Sequence, residues 1–169
     1  MHINCCNANG PRAFMMLPKF AVMGNQNEIY FNMFSQSKYS IALNPKNSIA
    51  IDQQTEYPES DGIVITINPE KPENFTVALR IPSWSRESSV LVNDVEVKNV
   101  VPGTYKKITR IWQKGDKIKV KMDLRGRVVT RNGFQAIVRG PVVLSRDTRF
   151  NDGFIYESGV IREKDGFVE

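Results

Sequence analysis

The sequence predicts a mainly β chain, an antiparallel β-sandwich preceded by one N-terminal helix. Three observations carry this. Apolar residues recur at every second position in several short runs, the period of a half-buried strand. Turn signals interrupt those runs every eight to twelve residues. No helical pattern separates the strands after the first turn of sequence, which argues against a parallel sheet built from crossover units.

Residues 10–23 read as the helix. Ala13, Phe14, Met16, Leu17, Phe20 and Ala21 fall at helical spacing. Asn9 is a suitable cap, Pro11 suits the first helical position, Pro18 should kink the helix because its ring meets the carbonyl of Phe14, and Gly24 should end it. The turn Asn25-Gln26-Asn27 leads into strands at 28–34, 39–43 and 48–56, with Asn44-Pro45-Lys46-Asn47 turning the chain between the last two. After the loop Tyr57 to Gly62, Ile63, Ile65 and Ile67 alternate with outward positions. Phe75, Val77, Leu79 and Ile81 do the same until Pro82 stops the strand. Residues 90–93 and 95–98 form a hairpin about Asn93-Asp94. Strands at 105–112 and 117–124 join through Gln113-Lys114-Gly115-Asp116. The second has Ile118, Val120, Met122 and Leu124 on one face and charges on the other, so its register is well specified. Strands at 127–130 and 135–145 follow, the latter with a bulge or edge at Gly140-Pro141. One short strand falls around Tyr156 to Arg162, and another begins at Phe167. Both ends read as cut. The domains implied are 1–24, a helical stub, and 25–169, a sandwich truncated at its C-terminal end.

The chain has 169 residues, of which 41% are hydrophobic and 24% charged, which fits a folded domain and not a disordered one. No apolar run approaches the ~20 residues of a membrane helix. The net charge of +5 raises nucleic acid as a partner. However, Lys117, Lys119 and Lys121 occupy alternating strand positions and the aromatics have no stacking-platform spacing, so a solvated sheet face is the plainer reading. Neither nucleic acid nor a membrane is expected as a partner.

Chemistry has few places to reside. His2 is the only histidine, which leaves little for serine catalysis, and the glycines are isolated turn residues rather than a phosphate loop. Glu56, Glu59 and Asp61 share one loop, and a solvated loop suits them better than the paired carboxylates of a glycosidase. Trp84 and Trp112 read as buried anchors in preference to a sugar-stacking platform. The sequon Asn74-Phe75-Thr76 has a core-facing residue at its centre and reads as chance.

Cys5 and Cys6, the only cysteines, remain. Neighbouring cysteines seldom bond to each other, so they are two free thiols or two metal ligands. Thiolates just before a helix N-terminus gain from its positive end and are good ligands and nucleophiles. Zinc wants four ligands, however, and this segment offers two, with His2 a poor third.

The string Cys5-Cys6-Asn7-Ala8-Asn9-Gly10-Pro11-Arg12, with Leu17-Pro18 after it, resembles the Cys-Cys segment of glycoside hydrolase family 127, the β-L-arabinofuranosidase family. The similarity continues in order through Ile29-Tyr30-Phe31-Asn32-Met33-Phe34, Thr55-Glu56-Tyr57-Pro58 and Leu79-Arg80-Ile81-Pro82-Ser83-Trp84. Val92-Asn93, Gly103-Thr104-Tyr105, Arg110 to Asp116 and Arg139-Gly140-Pro141-Val142-Val143-Leu144 complete it. Each piece is weak alone; the shared order over nearly the whole chain is specific.

The resemblance implies an (α/α)6 catalytic barrel followed by β-sandwich domains. It implies a zinc held by a glutamate and three cysteines, two of them adjacent, with a separate glutamate as acid/base. Cys5 would be the nucleophile of a retaining mechanism and a zinc ligand, and Cys6 a zinc ligand. The other ligands, the acid/base and most of the barrel would lie upstream. Residues 1–24 would then be a remnant of the barrel, zinc would belong to the intact parent enzyme and not to this fragment, and the fragment alone would not be catalytic. Its partners would be the missing barrel, an arabinofuranoside-type carbohydrate in the parent enzyme, and a second copy through the exposed helix. Two other readings stand beside this one: a free-standing carbohydrate-binding or structural sandwich with an incidental Cys pair, and a zinc or redox module made by dimerisation. If the sandwich stands alone, Phe14, Leu17 and Phe20 belong to its core. If it is a piece of a glycosidase, they lack their barrel partners and should be disordered, repacked on the sandwich or buried against another copy.

Overall fold

A computed structural model describes the backbone at residues 5–145, 149 and 162–168, with side chains from Asn9 onward. The expected strand around Tyr156 to Arg162 falls, but for Arg162, outside the described residues.

The chain opens with α1 (Cys5–Ala21). It then passes through β1 (Val22–Gly24), β2 (Glu28–Phe31), β3 (Ser37–Asn44), β4 (Asn47–Thr55), β5 (Gly62–Pro69) and β6 (Glu73–Arg80). Next come β7 (Ser89–Val92), β8 (Val95–Glu96), β9 (Tyr105–Trp112) and β10 (Asp116–Lys121). The last strands are β11 (Gly126–Arg131), β12 (Phe134–Arg139), β13 (Val142–Val143), β14 (Glu163–Lys164) and β15 (Phe167–Val168).

Two sheets make the sandwich. A four-stranded sheet has the order β1-β2-β6-β9 and a six-stranded sheet the order β3-β4-β5-β10-β7-β8. Their inner faces follow the period-two pattern of the sequence. Ile29, Phe31, Phe75, Val77 and Leu79 come from the first sheet; Ile49, Ile51, Ile63, Ile65, Ile67, Ile118 and Val120 come from the second. All are buried. Opposite partners agree in face: Ile51 lies across from Ile67, Ile65 from Ile118 and Ile63 from Val120. A slip by one residue would turn these isoleucines to water, at about 1.5–3 kcal/mol for each side chain lost from the core. Trp112 is fully buried, and its indole N–H donates to the Phe75 carbonyl at 3.0 Å. Gln53 is fully buried on the inner face of β4; its amide donates to the Ser35 carbonyl at 2.6 Å, fixing the crossing from β2 to β3.

The mixed details follow from connectivity. The chain leaves β2 for three strands of the other sheet and returns as β6 alongside β2, so that pair is parallel, with Glu28 opposite Thr76 and Phe31 opposite Leu79. Every other strand pair among the described residues is antiparallel. Asn93 and Asp94 both have positive φ, 50° and 66°, which gives the β7–β8 hairpin the turn twist that matches its strands.

Three local expectations are corrected. The helix begins at Cys5, not residue 10, and Asn9 lies within it rather than capping it. Pro11 is tolerated at a helix start but does not require one: inside a helix it forfeits one hydrogen bond, and the turns on either side keep theirs. The helix ends at Ala21, because Val22–Gly24 pairs with β2 as an edge strand. The Asn25 side chain then closes the turn by accepting from the Asn27 and Glu28 amides at 3.0 and 2.9 Å. Finally, residues 135–145 are not one bulged strand. The chain folds back at Gly140-Pro141, and β12 and β13 pair across that turn in a small sheet with β11.

Gly140 sits at φ +58°, and a Cβ there would lie 2.4 Å from the buried Leu124 side chain and 3.5 Å from the Trp84 ring. Gly133 has φ +80° with nothing within 4 Å of such a Cβ. Gly133→Ala is therefore expected to cost ~1–2 kcal/mol, the left-handed penalty alone. Gly140→Ala should exceed it by at least ~1 kcal/mol, because the core must also give way. Denaturant unfolding of the two variants measures the difference.

Candidate functional site

Cys5 and Cys6 are the first two residues of α1, inside the helix and not ahead of it as the sequence suggested. The first turn still carries the positive end of the helix dipole. Their side chains lie outside the described residues, as does all of His2. Among the described residues, no group of three or more His, Cys, Asp or Glu side chains is placed to hold a metal ion. Two adjacent thiols supply half of a tetrahedral set, so the residues present do not by themselves make a zinc site.

The loop carboxylates are occupied structurally. Glu56 and Glu59 are exposed, Asp61 lies 3.5 Å from the Lys121 ammonium, and Arg139 donates to the Pro58 and Glu59 carbonyls at 3.2 and 3.3 Å. The loop is held by its backbone, with its acids turned outward or paired. Trp112 is the buried anchor expected; Trp84 is not, being half-buried at the wall of a cleft.

That cleft, about 320 Å³, is the more informative feature. It collects Asn32, Met33 and Phe34 from the end of β2, Tyr57 from the loop after β4, Arg80 from the end of β6, and Trp84, with Pro82 and Pro141 closing it. Each contributor lies at or shortly beyond a strand end, where the ladder stops and side chains can turn away from the sheet. Phe34 meets Tyr57 edge to face at 6.5 Å. No carboxylate lines the cleft. Burial pushes the Tyr57 phenol pKa up, with the nearby Arg80 charge opposing it to a smaller degree.

A second cleft of about 340 Å³ adjoins it on the outer face of the four-stranded sheet, lined by Met23, Tyr30 and Tyr105, and shares Asn32 with the first. Tyr30 and Tyr105 meet edge to face at 5.5 Å. Lys107 lies 2.8 Å from Glu28 and 5.5 Å above the Tyr30 ring; it holds the Glu28 carboxyl below its usual range, and Glu28 holds the Lys107 ammonium above its own. Asn32 is the joint of the whole region. Its side-chain amide donates to the Phe20 carbonyl at 2.8 Å, its carbonyl oxygen accepts from the Tyr105 hydroxyl, and its backbone N–H donates to the Ala21 carbonyl at 2.9 Å. The C-terminal end of α1 is thus fastened to both clefts.

The sequence motifs named most of these residues without showing that they meet. The available signal was the placement of Tyr57 and Arg80 one and two residues before Pro58 and Pro82, close to where β4 and β6 stop. Because the folded Tyr57 phenol titrates above its unfolded value of about 10, stability is whole below pH 10 and falls as pH rises through the folded pKa. Tyr57→Phe should remove that part of the alkaline loss. Unfolding midpoints of the two proteins between pH 9 and 12, at about half-unit steps, read it directly.

The chain's relatives agree with this architecture. Residues 28–124 match the family model described as beta-L-arabinofuranosidase, GH127 middle domain. A GH127 β-L-arabinofuranosidase from Geobacillus stearothermophilus T6 superposes with a TM-score of 0.76 at 27% identity, over 82% of this chain and 23% of that one. A GH127 β-arabinofuranosidase, BT3674, superposes with a TM-score of 0.74 at 30% identity, over 82% of this chain and 25% of that one. A structure described as a glycoside hydrolase gives 0.77 at 27% identity, over 82% and 24%. The chain therefore spans about a quarter of the length of the structures it matches. No curated protein matches it. The middle-domain match covers more than half of its residues, and the chain belongs to the GH127 β-L-arabinofuranosidase family.

Proposed function

We propose that this chain is the β-sandwich region of a retaining glycoside hydrolase acting on β-L-arabinofuranosides, and that it supports catalysis without performing it alone. The observation that carries this reading is the state of α1. Phe14, Leu17 and Phe20 are 73%, 42% and 46% exposed, although they form the apolar stripe of the helix. A stripe of that size belongs against another apolar surface. In a free-standing binding module it would be part of the core, and here the core closes without it. Nor is the stripe repacked on the sandwich. The match to about a quarter of each relative's length supports the same reading.

In the parent enzyme Cys5 and Cys6 would be two thiolate ligands of a zinc completed by residues from elsewhere in that enzyme, with Cys5 as the nucleophile. Zinc would keep the thiols deprotonated at neutral pH. The part this chain plays on its own is to carry that pair on the first turn of α1 and to fasten the far end of the helix, through Asn32, to the rigid sandwich.

The purified chain should show no hydrolysis of an aryl β-L-arabinofuranoside, with or without added zinc, and should retain less than one zinc per chain after dialysis. Zinc-dependent turnover by this chain alone would overturn the reading, and a tightly held zinc shared by two chains would favour a dimeric thiol module instead.

A further inference from the structure

We infer that the two clefts and the exposed face of α1 form one continuous docking surface, and that its occupant is the remaining polypeptide of a GH127 enzyme, presenting apolar side chains and a carboxylate to Arg80. The inference rests on the reading that this chain is one region of such an enzyme, and it adds which residues make the joint.

Continuity comes first. Asn32 lines both clefts and bonds the Phe20 carbonyl, so no gap in the fold separates the clefts from the end of the helical stripe. Composition comes second. Tyr30, Tyr57, Tyr105, Trp84, Arg80 and Met33 are the residue types enriched in the centres of protein–protein interfaces, where acidic residues and lysine are depleted. Neither cleft is lined by an aspartate, a glutamate or a lysine. The second cleft leaves a glycan few open polar groups: the Asn32 side chain is spent on the Phe20 carbonyl and the Tyr105 hydroxyl, the Tyr30 hydroxyl bonds Glu28, and Met23 lines it beside the tyrosines.

Charge comes third. Among the described residues, the Arg80 guanidinium has no ion pair and no hydrogen bond, whereas Arg125, in the connection from β10 to β11, is paired with both Asp123 and Glu87. The Tyr57 hydroxyl in the same cleft is likewise without a partner. A guanidinium fork beside a phenol donor is suited to one carboxylate. About three quarters of the length of each relative lies outside the segment this chain matches, which provides the occupant.

The test places the full 169-residue chain in the G. stearothermophilus enzyme in exchange for the segment it matches. The exchanged enzyme should hydrolyse an aryl β-L-arabinofuranoside and unfold in a single transition. Arg80→Glu, and separately Met33→Asp, should split that transition into two. Ile111→Asp, an exposed apolar site at the other end of β9, should leave it single. The isolated chain carrying each substitution should keep its own unfolding midpoint, which separates a lost joint from a lost fold. If the exchanged enzyme keeps one transition with Arg80→Glu and Met33→Asp, the docking inference is overturned and the functional reading stands. An exchanged enzyme that is inactive and melts in two transitions before any substitution overturns the functional reading itself. If the isolated chain is a dimer that Arg80→Glu dissolves, the occupant is a second copy and the inference fails.

Discussion

The structure depends on the meeting of two inner sheet faces, each written into the sequence at a period of two. Ile63, Ile65 and Ile67 in the centre of the six-stranded sheet face Phe75, Val77 and Leu79 in the other. Their alternation fixes which side of each strand is dry. It also fixes the register of neighbours such as Ile118 against Ile65. Strand ends therefore fall at defined places, and the clefts exist because β2, β4 and β6 all stop on the same side of the molecule. Nothing in either cleft needs to be rigid by its own contacts; the core holds it.

The same core explains what α1 lacks. The inner faces of the sandwich are buried against each other, and the apolar stripe of α1 is not packed among them. Its hold on α1 among the described residues is polar and terminal: Asn32 and Met33 bond the last carbonyls of the helix. A helix fixed at one end, with its apolar stripe open and two prolines each removing a donor, draws little stability from its own propensity. That combination suits a segment whose packing partner is another part of a larger enzyme.

Legibility in the sequence followed the strength of local signals. Strands with clean alternation, such as β5, β6 and β10, were legible because burial on one face leaves only one pattern. The β7–β8 hairpin was legible from Asn93-Asp94, since few residues accept positive φ. The start of α1 was not, because Asn9-Gly10-Pro11 is compatible with a helix beginning there and with one passing through. β1 was hidden as an edge strand of three residues directly after a helix. The parallel pairing of β2 with β6 and the fold-back at Gly140-Pro141 are tertiary facts: the first depends on where the chain returns, the second on Leu124 and Trp84 closing over a glycine. For the candidate site, the motifs named Asn32, Tyr57, Arg80 and Trp84, but only the ends of three strands brought them together. The cysteine pair stood out in the sequence by its chemistry alone, and the structure places its backbone in the first turn of α1.

The central claim is that the sandwich is self-sufficient while α1 is held only at its end. Native-state hydrogen exchange of the isolated chain tests this most directly. The amides of β5, β6 and β10 should exchange only through global unfolding, while those of α1 before Phe20 should exchange at rates close to those of an unstructured peptide. Protection of the α1 amides equal to that of the central strands would contradict the account, because the helix would then belong to the cooperative core.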